Sequence, residues 1–239
     1  MLIDAGELVE FYQTPIGKMA RRLVGARLRA SWPHVDGLAV VGHGFAVPYL
    51  AHFRNARHVV GVMPASQGAV RWPHDRPSQV LLAENGQIPL PDLSVDRLVA
   101  VHSLESAADP RRLLREFWRV LKGEGRMIVI VPNRRGVWAR FDATPFGSGQ
   151  PYSRGQLERL LTDALFHPTG WNGALYAPPI NTGLVVQSAT TYERVGTRLW
   201  PAFSGVVMVE ATKELMAPIG GGKTVKATPQ LETAGGGEA

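Results

Sequence analysis

From Val95 to Asn133 the sequence reads VDRLVAVHSLESAADPRRLLREFWRVLKGEGRMIVIVPN: an apolar run, a capped helix and a second apolar run joined by short turns. Asp109 and Pro110 have the character of an N-cap and a first-turn proline. Leu113, Leu114, Phe117 and Leu121 share one helix face, and Gly123 predicts the stop. RMIVIVPN is apolar at successive positions, as in a strand covered on both faces. Two earlier Val-rich runs, GLAVVG and HVVGVM, repeat the theme. Short apolar runs alternating with helical stretches predict a mostly parallel central sheet with helices on both faces, in three layers.

Flanking segments extend this pattern. GELVEFY predicts a first helix, Thr14 and Pro15 open a second one to about Ala30, and together they make an N-terminal helical extension over residues 1–35. In that second helix Ile16, Met19, Leu23 and Val24 recur at helical spacing, while Lys18, Arg21, Arg22, Arg27 and Arg29 carry much of the +6 formal charge. The spacing predicts a core-facing apolar stripe with the cations outside. Residues 134–155 shift to Gly, Pro and aromatics, a loop of the kind a domain keeps for function. SRGQLERLLTDALF predicts a helix, TGWNGALYAP a strand, TYERVGTRLWP a helix and SGVVMVEATKEL the last strand. Residues 218–239 have the composition of a disordered tail after a main domain over 36–217.

Composition removes several functions. With no cysteine there is no disulfide framework, thiol nucleophile or thiolate metal site, and the seven histidines are scattered, so no metal is expected. No apolar run approaches the ~18 residues of a membrane span and the N-terminus lacks a signal-peptide pattern, so a cytoplasmic protein is expected. Positive charge alone speaks for nucleic acid, and no recognition motif accompanies it.

Within VVGHGFAVPYL, Gly42 and Gly44 stand where a first strand turns into a helix, with Ala46 at the third position of a three-glycine pattern. Such a turn lets backbone N–H groups approach a ligand closely. It also serves as a plain structural turn, and the glycines alone do not separate the two.

The segments taken in order resemble the class I S-adenosylmethionine-dependent methyltransferases, type 11 branch. The resemblance rests on AENGQIPLPDLSVDRLVAVHSLESAADPRRLLREFWRVLKGEGRMIVIVPN, with its Pro-Asp-x-Ser-x-Asp lead into a strand, Leu-Glu pair, Asp-Pro cap and helix ending Arg-Val-Leu-Lys. TPFGSGQPYSRGQLERLLTDALF also looks like the family's next region. The resemblance implies a Rossmann-like methyltransferase fold over about residues 36 to 213 and S-adenosylmethionine as cofactor. It places Gly42, His43, Gly44, Met63, Glu84, Asn85, Gln87 and His102 around that cofactor, Glu84 being the acid that accepts from the adenine amino group. His102, at the end of the fourth strand, is the candidate base, and Tyr12 resembles an N-terminal aromatic that closes over the cofactor in some relatives. In the long loop Trp138, Phe146, Tyr152 and Arg140 suit a flat or acidic acceptor, and equally a protein-binding surface.

Three positions depart from the family. Val40 replaces an acid before the glycines, Ser106 replaces a second histidine, and Met63 replaces the carboxylate that accepts the ribose hydroxyls. Two functions follow: methyl transfer to a small or medium-sized acceptor, or a catalytically inactive methyltransferase fold that binds or regulates another protein. Replacing Met63 by Asp is expected to tighten cofactor binding if the pocket is otherwise intact.

Overall fold

A computed structural model describes residues 3–84 and 86–213. The expected tail, residues 218–239, lies outside the described residues, as does Asn85.

Seven strands form one sheet in the order β3-β2-β1-β4-β5-β7-β6. β1 (Ala39–Gly44), β2 (His58–Pro64), β3 (Val80–Ala83), β4 (Val95–Val101) and β5 (Leu121–Pro132) pair in parallel. β7 (Val206–Lys213) runs antiparallel to both β5 and β6 (Phe166–Ala174). Helices α1 (Ala5–Gln13), α2 (Pro15–Ser31) and α6 (Gly183–Leu199) contribute to the core on one face. α4 (Pro110–Val120) and α5 (Arg154–Asp163) contribute to the core on the other. The expected three-layer, mostly parallel Rossmann-like arrangement with a helical N-terminal extension is what the chain adopts.

Local chemistry accounts for most boundaries. Asp4 accepts from the N–H groups of Gly6 and Glu7 to start α1, Thr14 accepts from Gly17 N–H to start α2, and Ser153 with Gln156 makes a capping box on α5. Ile16, Met19, Leu23 and Val24 are buried while Lys18, Arg21, Arg22 and Arg29 are exposed, as their spacing predicts.

Elsewhere tertiary pairing overrides local signals. α4 ends at Val120, before Gly123, because Leu121 already pairs with Val95 across the sheet. β3 carries no alternating pattern that would announce it. It is a four-residue edge strand with Leu81 and Leu82 exposed, held by its pairing to β2. The helix expected after the glycine turn is only α3 (Val47–Leu50) and a following 3-10 turn. Among the described residues no helix is long and apolar enough to cross a membrane.

Candidate cofactor and methyl-transfer site

β1 ends in a residue with positive φ, Gly44 at 73°, and β4 is followed directly by another, His102 at 48°. A Cβ on Gly44 would stand 2.4 Å from the Val101 carbonyl oxygen, and one on Gly42 would stand 2.7 Å from Ala46 Cβ. Both glycines are therefore required by strand and helix packing, whatever else the turn holds. His102 is not a glycine, and its left-handed backbone is the kind of strain that persists where surrounding contacts enforce it.

Those contacts form a buried chain. Tyr12 Oη lies 3.0 Å from Tyr49 Oη and 2.9 Å from His102 Nε2. On the other side of the ring, His102 Nδ1 is 3.5 Å from Glu105 Oε1, and Glu105 Oε2 accepts from Ser103 N–H at 3.0 Å. A short 3-10 turn over Leu104–Ser106 folds Glu105 back onto His102. The network is satisfied when Tyr12 donates to Nε2 and the imidazole proton sits on Nδ1, facing the carboxylate. Burial and the adjacent Tyr49 push the Tyr12 phenol up, so it stays protonated as that role requires.

A cavity of about 140 Å³ opens beside this chain, between the C-terminal ends of β1, β2 and β4 and the start of α4. His43, Gln67, Glu84, His102, Ser103 and Asp109 are among its lining residues. Gln67 donates through Nε2 to the His102 carbonyl, while its Oε1 is buried without a partner. An orphaned acceptor on a cavity wall marks a place where a ligand's N–H or O–H would be favourable. His43 is held by Ser103 Oγ at 2.7 Å and packs edge-on against Phe117 at 5.0 Å. Burial lowers its pKa to about 4, so it is neutral at physiological pH.

Several predicted site residues stand elsewhere. Met63 is fully buried in the core cluster that includes α1 and α2 residues, and does not line the cavity. Val40 is buried in the same cluster. Gln87 is exposed outside the cavity. Trp138, Phe146 and Tyr152 are buried: Trp138 Nε1 donates to the Ala177 carbonyl, Phe146 packs on His102 at 4.8 Å, and Tyr152 Oη reaches the Leu104 carbonyl. Only Phe146 of these three touches the histidine chain, and Arg140 is exposed. Gln67, Tyr49 and Glu105 were not legible as site residues. Glu105 alone carried a signal, three residues after His102.

α1 covers this end of the sheet. Ala5 N–H donates to the Gln67 carbonyl at 2.7 Å, Tyr12 stacks on Phe45 at 5.8 Å, and Phe11 meets Phe146 edge-on at 6.1 Å.

Residues 39–129 match the family model described as a methyltransferase domain. Over this stretch the chain is similar to the methyltransferase-domain family. A protein of Mycobacterium tuberculosis described as a probable S-adenosylmethionine-dependent methyltransferase is 36% identical over 102 residues, covering 42% of this chain and 37% of the relative. The matched stretch thus spans little more than a third of that relative. Among solved structures, an S-adenosylmethionine-dependent methyltransferase from Thermotoga maritima superposes with TM-score 0.59 at 19% identity, covering 87% of this chain and 95% of its own. The SpnF cyclase superposes with TM-score 0.55 at 18% identity, covering 82% and 81%. The two descriptions differ in chemistry, so this fold by itself does not fix the reaction.

Proposed function

We propose that the chain, with its domain at 36–217 and a helical extension at 1–35, transfers a methyl group from S-adenosylmethionine to a small or medium-sized acceptor. The observation that carries this reading is the cavity between β1, β2 and β4, where the unpartnered Gln67 Oε1 joins Glu84 in facing the space. Both groups accept hydrogen bonds, which suits the amino and hydroxyl donors of an adenosyl group. Gln67 takes over the accepting role that Met63 cannot fill.

At about 140 Å³ the cavity is smaller than the ~300–1,000 Å³ of typical ligand sites, so the reading requires the site to widen on binding, and the element that moves is α1, whose Ala5 N–H holds the Gln67 carbonyl. Lifting α1 also withdraws Tyr12 and frees His102 Nε2. The cofactor, when bound, supplies an already activated methyl group. His102 then accepts the acceptor's proton at Nε2, while Glu105 holds the ring and stabilises the charge that develops on it. Phe146 walls the imidazole and keeps water from it.

A second reading is the inactive fold acting on a protein partner. It is favoured by the burial of Met63 and Val40 in the cluster with α1, which makes the lost acids part of a closed core.

Calorimetric titration with S-adenosylmethionine and S-adenosylhomocysteine separates the two. Micromolar binding that weakens in Gln67→Leu supports the enzyme. No heat at millimolar ligand, in the full chain and in a variant with Tyr12 truncated, leaves the second reading.

A further inference from the structure

A second cavity of about 540 Å³ lies where Asn133 follows the end of β5, β6 nears its end at Gly173 and α5 begins at Arg154. It shares no lining residue with the cavity beside His102. Three guanidinium groups line it, from Arg27, Arg135 and Arg154, and no carboxylate does. Arg27 is partly balanced, with Glu193 at 3.9 Å. Arg135 and Arg154 make no ion pair among the described residues, and Arg154 instead lies over the Trp171 ring at 4.6 Å.

Neutral donors face the same space. Ser153 caps the Gln156 N–H, which leaves the Gly155 N–H at the start of α5 without an intrahelical acceptor. The Asn172 side chain makes no hydrogen bond among the described residues. Cations converging on a concave site without a counter-charge raise the local positive potential, and guanidinium forks match the paired oxygens of phosphate and carboxylate groups. The volume fits a small metabolite.

We propose that this cavity binds a small organic dianion, with Arg135 and Arg154 gripping its head group and the Gly155 N–H donating to it. A phosphate monoester and a dicarboxylate present the same doubly charged chemistry.

The test is calorimetric titration of the full chain with glycerol 3-phosphate and, separately, succinate in about 0.1 M salt, where exposed charges are screened beyond roughly 10 Å. Saturable binding is expected, weakened at least about tenfold in Arg135→Ala/Arg154→Ala and unchanged in the charge-matched Arg111→Ala/Arg115→Ala. The better of the two probes distinguishes the phosphate from the carboxylate source. Gly155→Glu guards against a variant that fails to fold. An added Cβ there meets only the end of the Arg159 side chain, at 3.8 Å, an ordinary contact, and a carboxylate in the first turn favours α5. It is expected to keep the melting temperature while abolishing binding. Equal loss in both arginine pairs, no saturable heat, or a preference for single-stranded RNA that Gly155→Glu leaves intact would each overturn the proposal.

Discussion

Tyr12 Oη and His102 Nε2 meet at 2.9 Å, and that contact ties the N-terminal helix to the end of β4. Tyr12→Phe keeps the stacking on Phe45 and removes the hydroxyl, leaving His102 Nε2 and the Tyr49 hydroxyl buried without this partner. The expected cost is about 1–3 kcal/mol of stability, read by urea denaturation. Because the closed position of α1 is weakened, affinity for S-adenosylhomocysteine is expected to rise, by about tenfold for each ~1.4 kcal/mol taken from the closed state. Lower stability with unchanged affinity would mean that α1 does not gate the site.

Met63→Asp, expected from the sequence to tighten cofactor binding, has the opposite expectation in the fold. The side chain is fully buried among apolar groups, so an aspartate there has to be desolvated or protonated. A loss of several kcal/mol is expected, while Met63→Leu, which keeps the volume, stays within about 1.5 kcal/mol. Denaturant midpoints of the two variants make the comparison. A stable Met63→Asp with improved binding would show that the residue faces the ligand after all.

The strongest family signature turns out to be structural. Arg119, of the Arg-Val-Leu-Lys helix end, donates to Glu116, to Asp92 and to the carbonyls of Ile88 and Leu90, at 2.6–3.0 Å. Lys122 and the Ala39 N–H both meet Asp96 at the opposite end of the sheet from His102. These residues were legible because they clamp short-range turns into one geometry, which leaves a fixed spacing in the chain. The histidine chain was not, because Tyr12, Tyr49 and His102 come from three distant segments and become neighbours only once the sheet forms. The same holds for Gln67, whose meaning lies in an oxygen that finds no partner.

Arg119→Met should therefore act on the cofactor half without touching it. It releases the loop that carries Ile88–Asp92 and leaves the Glu116 carboxylate, now held low chiefly by Arg119, without its main partner. A loss of about 3–5 kcal/mol is the scale for breaking a buried pair, and the partial exposure of both side chains places this one below that range. Faster hydrogen exchange in residues 84–93 than in β5 would locate the effect. Uniform exchange across both would refute the clamp.

His43 sets a pH dependence of defined sign. Its folded pKa, about 4, lies below the ordinary value near 6.5, so between those limits the unfolded chain binds a proton that the folded chain does not. Stability contributed by neutral His43 is complete above pH 6.5 and falls as the pH drops towards 4, with no further loss below that. Between pH 7 and 5 the decline is on the order of 2 kcal/mol. His52 is also lowered by burial and by Arg29, and contributes in the same direction. The measurement is therefore a difference: His43→Gln against the parent chain, by urea denaturation at pH 7 and pH 5. The gap between them is expected to narrow at pH 5, because only the parent carries the titrating group. A gap that stays constant would mean that burial leaves His43 with its ordinary affinity for a proton, and a gap that widens at pH 5 would mean that His43 is protonated in the fold, with Ser103 Oγ accepting from Nδ1.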